Sequence, residues 1–329
     1  MKAVIISKPG KPEVLKVQER DIPKPKAHEV LIKVKAAGIN RPDIIQRKGF
    51  YPAPPDAPAD IPGLEVSGTI TAKGPDVEHW QIGDEVCALI AGGGYAEFVC
   101  APAAQCLPIP EGVSLIDAAS LPETFFTVWN NVFDIANFEH GESVLIHGGS
   151  SGIGVAAIQM VNALKGKVIV TAGSAEKCSI CESLGATKAI NYNEEDFEEK
   201  VMELTDGKGV DIILDMIGGD YGSKNINILK AKGRLVMINA MKGKIAEIDL
   251  IKIMKNQLTI TGSTLRPKSI DYKGEIAQKL LKHIWPLFGK KIKPVIYKTF
   301  PLEKAAEAHQ LMESSKHIGK ILLQTSENT

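Results

Sequence analysis

Between Ser143 and Gly154 the chain reads Ser-Val-Leu-Ile-His-Gly-Gly-Ser-Ser-Gly-Ile-Gly. Four glycines, Gly148, Gly149, Gly152 and Gly154, follow a short apolar run at 144–146 that is bounded by polar residues. Such a run marks a buried parallel strand. Behind them Ala157, Val161 and Leu164 recur at i, i+4 and i+7, the period of an amphipathic helix over 155–164. Glycines at a strand-to-helix turn suit one task, holding a pyrophosphate. The helix N-terminus offers unpaired N–H groups and partial positive charge, and missing side chains let the backbone come close. An ordinary tight turn is the bland alternative. The strand, turn and helix in sequence favour a dinucleotide.

In NAD-binding forms an acidic residue about 20 positions further on bonds the ribose 2′-hydroxyl. Here that position holds Ser174, followed by Ala175, Glu176 and Lys177. Ser174 can donate to a phosphate, and Lys177, one helical turn on, adds a point charge. Glu176 falls on the solvated helix face. Ser174 also reads as a helix N-cap and Lys177 as a surface lysine, roles that can coexist with phosphate binding. The pattern favours NADPH over NADH.

Other chemistries find little support. Cys178 and Cys181 form a Cys-x-x-Cys, but no second ligand pair accompanies it and both residues fall in a predicted helix, where packing explains them. Five cysteines, an odd number in a long chain, argue against a disulfide framework. The seven histidines have no paired spacing. His147 ends a predicted strand and reads as structural rather than as a base. No Gly-x-Ser-x-Gly elbow suggests a hydrolase.

The elements that position these residues divide the chain. Up to about residue 120, short apolar or alternating runs at 14–17, 30–34, 66–70, 86–90 and 95–101 are separated by Gly and Pro clusters, which predicts a barrel-like β domain. From about residue 123 the texture changes. A helix is expected at 127–136, then strands at 144–146, 168–172, 189–192, 210–215, 235–239 and 258–262. Helices are expected between them at 176–184, 197–204, 226–229 and 250–254. Six strands alternating with helices predict an α/β, doubly wound parallel sheet of the Rossmann type. The tail returns to helices at 276–287 and 303–312 and strands at 295–300 and 318–323. The expected domains are therefore 123–264 for the dinucleotide and 1–122 with 265–329 for the remainder. The last sheet strand, 258–262, is an apolar edge, so a homodimer paired across a two-fold axis is expected.

At 329 residues two domains are the expectation. Thirty-nine basic residues balance 39 acidic ones, which gives no electrostatic footprint for nucleic acid or an anionic membrane. No apolar run approaches the ~20 residues that span a bilayer, and the apolar part of the N-terminus is short for a secretion signal. A cytoplasmic protein without membrane or nucleic-acid partners is expected.

An ordered set of motifs carries a resemblance along essentially the whole chain. They include Ala37-Gly-Ile-Asn-Arg-Pro-Asp43, Pro62-Gly-Leu-Glu-Val-Ser-Gly68, Leu121-Pro-Glu123, the glycine turn, Thr171-Ala-Gly-Ser174, Ile190-Asn-Tyr192, Leu214-Asp-Met-Ile-Gly-Gly219, Leu265-Arg266 and Ile318-Gly-Lys-Ile-Leu322. The chain resembles the zinc-free quinone oxidoreductases of the medium-chain dehydrogenase/reductase superfamily, the group that includes zeta-crystallin, and most of all their tumour-suppressor-inducible branch. The resemblance implies a GroES-like β-rich catalytic domain beside a Rossmann domain, with NADPH as cofactor and a quinone as acceptor. It implies cofactor contacts from Thr127, Ser151, Gly152, Ile153, Gly173, Ser174, Lys177, Tyr192, Ile217, Met241 and Leu265. Asn40 and Tyr51 would serve catalysis, Asn40 at the nicotinamide end and Tyr51 at the acceptor pocket. Family members often carry Gly where this chain has Ser151; the tumour-suppressor-inducible branch shares the serine.

Zinc members of the superfamily use Cys, His and a carboxylate or second Cys. Here the Cys position reads Asn40 and the His position Leu64; Glu65 remains, but one carboxylate cannot build a site that needs three protein ligands. No metal is expected. A 2-alkenal or enone reductase on the same fold is the alternative activity. An NADPH-binding structural or RNA-binding protein is the alternative of another class, weakened by the neutral charge and the lack of basic–aromatic interleaving.

Overall fold

The computed structural model describes residues 1–326. They form two compact units, 1–126 with 266–326, and Thr127–Leu265. The chain crosses from one to the other within a helix.

The first unit begins with a two-stranded antiparallel ribbon, β1 (Lys2–Ile6) and β2 (Leu15–Glu19). There follow β3 (Glu29–Gly38), α1 (Arg41–Arg47), β4 (Glu65–Lys73), β5 (Glu85–Leu89), β6 (Phe98–Pro102), β7 (Cys106–Pro108) and α2 (Pro122–Val128). Strand β3 organises this unit. Its first half pairs with β6 and its whole length with β4, both antiparallel, and register shifts between Leu31 and Ile32 and between Val34 and Ala36 bend it. Such bulges sharpen local twist and re-aim a strand end. Alternate residues Val30, Ile32 and Val34 turn inward with Val66, Ile70 and Val99, the period-2 pattern of a half-buried sheet. The strand expected at 95–101 starts later, at Phe98, where the ladder with β3 begins; before it Ala96 makes only an isolated bridge to Ala3.

The second unit opens on a departure from the sequence reading. Of the helix expected at 127–136, the stretch Trp129–Ile135 is π-helical, with Ala136 N–H donating to the Asn131 carbonyl at 3.0 Å. Such i→i+5 turns are rare inserts within α-helices. Then come β8 (Ser143–His147), α3 (Gly152–Ala163), β9 (Lys167–Ala172), α4 (Ala175–Ser183), β10 (Lys188–Asn191), α5 (Phe197–Leu204), β11 (Val210–Asp215), α6 (Tyr221–Asn227), β12 (Leu229–Met237), α7 (Leu250–Asn256) and β13 (Thr259–Gly262). The sheet is parallel throughout, in the order β10-β9-β8-β11-β12-β13. This is the doubly wound dinucleotide-binding order, with its crossover point between β8 and β11. Helix α3 is buried on nearly every side, with only Asn162 exposed, where an amphipathic helix was expected. The helix expected at 226–229 ends at Asn227. Leu229 instead opens β12 and packs with Leu235 in the core.

The chain then returns to the first unit with α8 (Ile270–His283), β14 (Ile296–Pro301), α9 (Ala305–Ser314) and β15 (Lys320–Gln324). Strand β15 pairs antiparallel with the second half of β3, Leu322 facing Gly38, and parallel with β14. Among the described residues no helix is long and apolar enough to cross a membrane.

Candidate functional site

In the second unit the glycine turn sits between β8 and α3. Gly148 adopts φ +71°, which glycine tolerates best, and a Cβ on Gly154 would lie 2.4 Å from the carbonyl oxygens of Gly148 and Gly149. Only glycine allows the turn to fold back so tightly over the helix start. Ser151 is the N-cap of α3: its hydroxyl oxygen accepts the Gly154 N–H at 3.0 Å, and the hydroxyl reaches Met216 Sδ at 3.7 Å. Gly152 and Ile153 occupy the first two helical positions, whose N–H groups no intrahelical carbonyl can reach. The cradle and the free helix donors fit a dinucleotide pyrophosphate.

At the end of β9, Ser174 caps α4 and accepts the Lys177 N–H at 3.3 Å. Strand pairing brings Tyr192 alongside. Its N–H donates to the Ala172 carbonyl at 3.1 Å, and a Cβ on Gly173 would meet the Tyr192 hydroxyl at 2.5 Å. Gly173, Ser174, Lys177 and Tyr192 thus gather at one place, and Glu176 is exposed. Two members of this group were not visible from sequence. Asn193 donates to the Gly173 carbonyl at 2.8 Å. The Lys242 ammonium lies 5.8 Å from the Tyr192 ring centre and 5.0 Å from that of Tyr221.

A second group forms at the end of β11. Asp215 accepts N–H bonds from Ile217 (2.6 Å) and Gly218 (3.2 Å), fixing the turn that follows. Ile217 accepts the Lys242 N–H at 2.8 Å, and Met241 N–H reaches the Met216 carbonyl at 3.4 Å. Ser151, Ile217 and Met241 are therefore linked through Met216, with the Met241 side chain half exposed. Among the described residues, Thr127 on α2 and the buried Leu265 stand outside both groups. His147 is wholly buried, between Thr171 Oγ1 at 3.1 Å and Asn225 Oδ1 at 2.8 Å. Burial lowers its pKa against the opposing pull of Asp215, so it is a neutral structural histidine.

In the first unit the ends of β3, β4 and β15 converge on Asn40. Register places Lys320 two residues before the Leu322–Gly38 pair and Glu65 at the start of β4. The Lys320 ammonium donates to Glu65 Oε1 (2.6 Å), Asn40 Oδ1 (2.6 Å) and the Ile39 carbonyl (3.0 Å). Asn40 Nδ2 donates to Glu65 Oε1 at 2.7 Å, and Glu123 N–H to Glu65 Oε2 at 2.9 Å. Gly38 has no room for a side chain, because a Cβ would stand 2.1 Å from Glu65 Oε1. All three ammonium protons are used, the condition under which a buried ion pair is tolerated. Both ends of the Asn40 amide, expected at the nicotinamide end, are engaged by Glu65 and Lys320.

Behind Asn40 runs a wholly buried chain. Asp43 accepts the Asn40 N–H (2.8 Å), the Gly63 N–H (3.2 Å) and the Tyr95 hydroxyl (3.1 Å). Tyr95 meets His309 Nε2 at 3.0 Å, and Arg47 meets His309 Nδ1 at 3.3 Å. Arginine only donates, so Nδ1 accepts and Nε2 carries the proton toward Tyr95. Burial, reinforced by Arg47, holds the His309 pKa at about 3, in keeping with a neutral ring. Burial raises Asp43 to about 6 in spite of its hydrogen bonds.

Beside this network Tyr51 lies under Arg266, whose guanidinium carbon is 5.2 Å from the ring centre. Arg266 Nε donates to the Ala91 carbonyl at 2.8 Å and Nη2 to Gln46 Oε1 at 2.9 Å. Nη1 is buried without a hydrogen-bond partner. Burial raises the Tyr51 phenol, partly offset by Arg266. Half-buried Glu123, in the first turn of α2, has its carboxyl pushed up to about 8, by burial first and the neighbouring Glu65 second. Among the described residues no group of three His, Cys, Asp or Glu side chains could hold a metal.

Residues 26–111 match the model described as "Alcohol dehydrogenase GroES-like domain", and residues 152–282 the model described as "Zinc-binding dehydrogenase". Quinone oxidoreductase of Rattus norvegicus is 35% identical over 330 residues, covering 98% of this chain and 97% of that protein. Among solved structures, an NAD-dependent alcohol dehydrogenase superposes with a TM-score of 0.85 at 33% identity, covering 99% of this chain and 100% of that one. Escherichia coli quinone oxidoreductase complexed with NADPH gives a TM-score of 0.85 at 28% identity, covering 98% and 100%. On this identity over nearly its entire length, the chain belongs to the quinone oxidoreductases of the medium-chain dehydrogenase/reductase superfamily and is an oxidoreductase.

Proposed function

We propose that this oxidoreductase transfers hydride from NADPH to a quinone without zinc, as a cytoplasmic homodimer. The observation that carries the reading is the closed set of Asn40, Glu65 and Lys320. An ammonium 2.6 Å from both oxygens takes up the donors at the positions where zinc relatives hold their metal. A simple ketone reduced to an alkoxide needs a Lewis acid or a strong proton donor. A quinone gives a resonance-stabilised phenolate, for which positioning and modest hydrogen bonding suffice.

NADPH, when bound, supplies the hydride. Gly152 and Ile153 N–H groups hold its pyrophosphate, and Ser174, Lys177 and Tyr192 hold the 2′-phosphate, with Lys242 adding positive charge. Gly173 lets Tyr192 lie close. Met241 and Leu265 would offer backbone groups near the nicotinamide, with Thr127, Ser151 and Ile217 beside it. Asn40, locked by Lys320 and Glu65, acts by keeping the start of α1 rigid, and Tyr51 borders the acceptor. The structural neighbour named as NAD-dependent supports the opposite cofactor, but here the ribose position carries Ser174 and two lysines stand near it.

The homodimer reading rests on β13, a sheet edge, and on α7 before it, which buries no residue and exposes Leu250, Ile251 and Met254. Apolar side chains in a row beside an open strand suit a second copy. NADPH oxidation by the purified protein against a panel of quinones, enals and ketones tests the activity.

A further inference from the structure

Resting on the proposed quinone reduction, we propose that Arg266 and Glu123 form the site for the acceptor oxygen, Arg266 Nη1 donating a hydrogen bond to it and the Glu123 carboxylic acid giving it a proton. The geometry that carries this lies within the first unit. Two of the three guanidinium nitrogens of Arg266 are spent on Ala91 and Gln46, which fixes the plane of the group, while Nη1 is buried and unpartnered. A buried, unsatisfied charged donor costs free energy unless something arrives to accept from it. The Tyr51 ring centre lies 5.2 Å from the same guanidinium carbon, which sets an aromatic ring beside the site for a planar acceptor to pack against.

Glu123 interacts electrostatically with both Arg266 and Tyr51. Its backbone N–H is tied to Glu65, which anchors the first turn of α2. The charged and titratable groups that face it are Glu65 on β4, Lys320 on β15, Asp43 on α1, Arg266, Tyr51 and Lys273 on α8, whose ammonium donates to the Arg266 carbonyl at 3.3 Å. Along the chain Arg266 directly follows Leu265, and Glu123 lies one helical turn before Thr127. Both thus stand close in sequence to residues assigned above to the nicotinamide end.

With its pKa near 8, Glu123 is a protonated acid at neutral pH, so it can donate a hydrogen bond that an ordinary carboxylate cannot. The step balances. Hydride bonds to one quinone oxygen, the ring π electrons shift as the ring becomes aromatic, and the π pair of the opposite carbonyl moves onto its oxygen, which takes the Glu123 proton to complete the hydroquinone. Glu123, left as a carboxylate, regains its proton from water. A neutral acid beside a cation is suited to an oxyanion, whereas two carboxylates there would repel it.

The test is binding of 4-nitrophenolate to the full-length chain, followed by its absorbance from pH 6 to 9.5. It needs neither NADPH nor turnover, so it is read even if no quinone is reduced. The wild-type protein is expected to lose affinity for the phenolate form as pH rises through about 8, approaching tenfold per pH unit. Glu123→Gln, which is isosteric and stays neutral, should keep its affinity across the same range. Arg266→Gln should bind at least about tenfold more weakly at pH 7, with Arg266→Lys recovering part. If quinone reduction is present, the basic limb of its kcat profile near pH 8 should disappear in Glu123→Gln. The same alkaline loss of phenolate binding in Glu123→Gln as in wild type, or unchanged binding in a folded Arg266→Gln, would overturn the proposal. Failure of the wild-type protein to reduce any quinone would instead overturn the reading it rests on.

Discussion

The Lys320 ammonium stands 2.6 Å from the Glu65 carboxylate although 255 residues separate them, and both side chains are almost completely buried. Removing one member of such a pair leaves an uncompensated buried charge. Lys320→Met is expected to destabilise the protein by about 3–5 kcal/mol, measured by urea unfolding. Adding Glu65→Gln should recover much of that loss. A Lys320→Met variant as stable as wild type would show that the pair does not hold the strand ends together.

Lys177 is expected to make a charge-assisted contact with the 2′-phosphate, worth about 1.5–3 kcal/mol. Lys177→Ala should weaken NADPH binding by about 10- to 150-fold and leave NADH binding nearly unchanged, as read by fluorescence titration. Equal losses for both cofactors would mean that Lys177 acts through the fold of α4.

The doubly wound sheet was legible because each of its strands is a short apolar run between Gly-rich or polar breaks, and the glycine turn identifies the first. The group around Ser174 was legible for a related reason: parallel pairing of β9 with β10 brings residues 173–177 and 192 together wherever that topology holds. The Asn40–Glu65–Lys320 contact was not. It depends on the register of β15 against β3, and pairing at that separation leaves no periodic trace in the sequence. The orphaned Nη1 of Arg266 and the raised pKa of Glu123 were hidden likewise, since burial by distant segments creates both. The helix expected at 226–229 was misplaced because apolar residues straddle the junction of α6 and β12, where period alone cannot separate helix from strand.

Glu123 also makes stability depend on pH. Its folded pKa of about 8 lies above the ordinary value of 4.5, so between these values the folded chain holds a proton that the unfolded chain has released. This contribution is complete below about pH 4.5, declines as pH rises, and is lost above about 8, with a slope of at most about 1.4 kcal/mol per pH unit. Thermal unfolding of Glu123→Gln should therefore gain on wild type as pH rises from 5 to 8. A difference between the two proteins that does not vary with pH would contradict the raised pKa.

If α7 and the edge of β13 meet a second copy, light scattering at micromolar concentration should report a dimer. Ile251→Asp, at an exposed position, should shift it toward monomer without lowering the unfolding temperature of the monomer itself. A wild-type monomer under those conditions would contradict the homodimer.

Hydride transfer from NADPH to a conjugated acceptor without a metal is the central step proposed. Its most direct test is NADPH oxidation by the purified protein, with and without a strong chelator, against a quinone, a simple enal and a simple ketone. Quinone reduction that persists in chelator is expected, with NADPH preferred over NADH and the ketone untouched. Loss of activity in chelator, or turnover of the ketone as fast as the quinone, would contradict it.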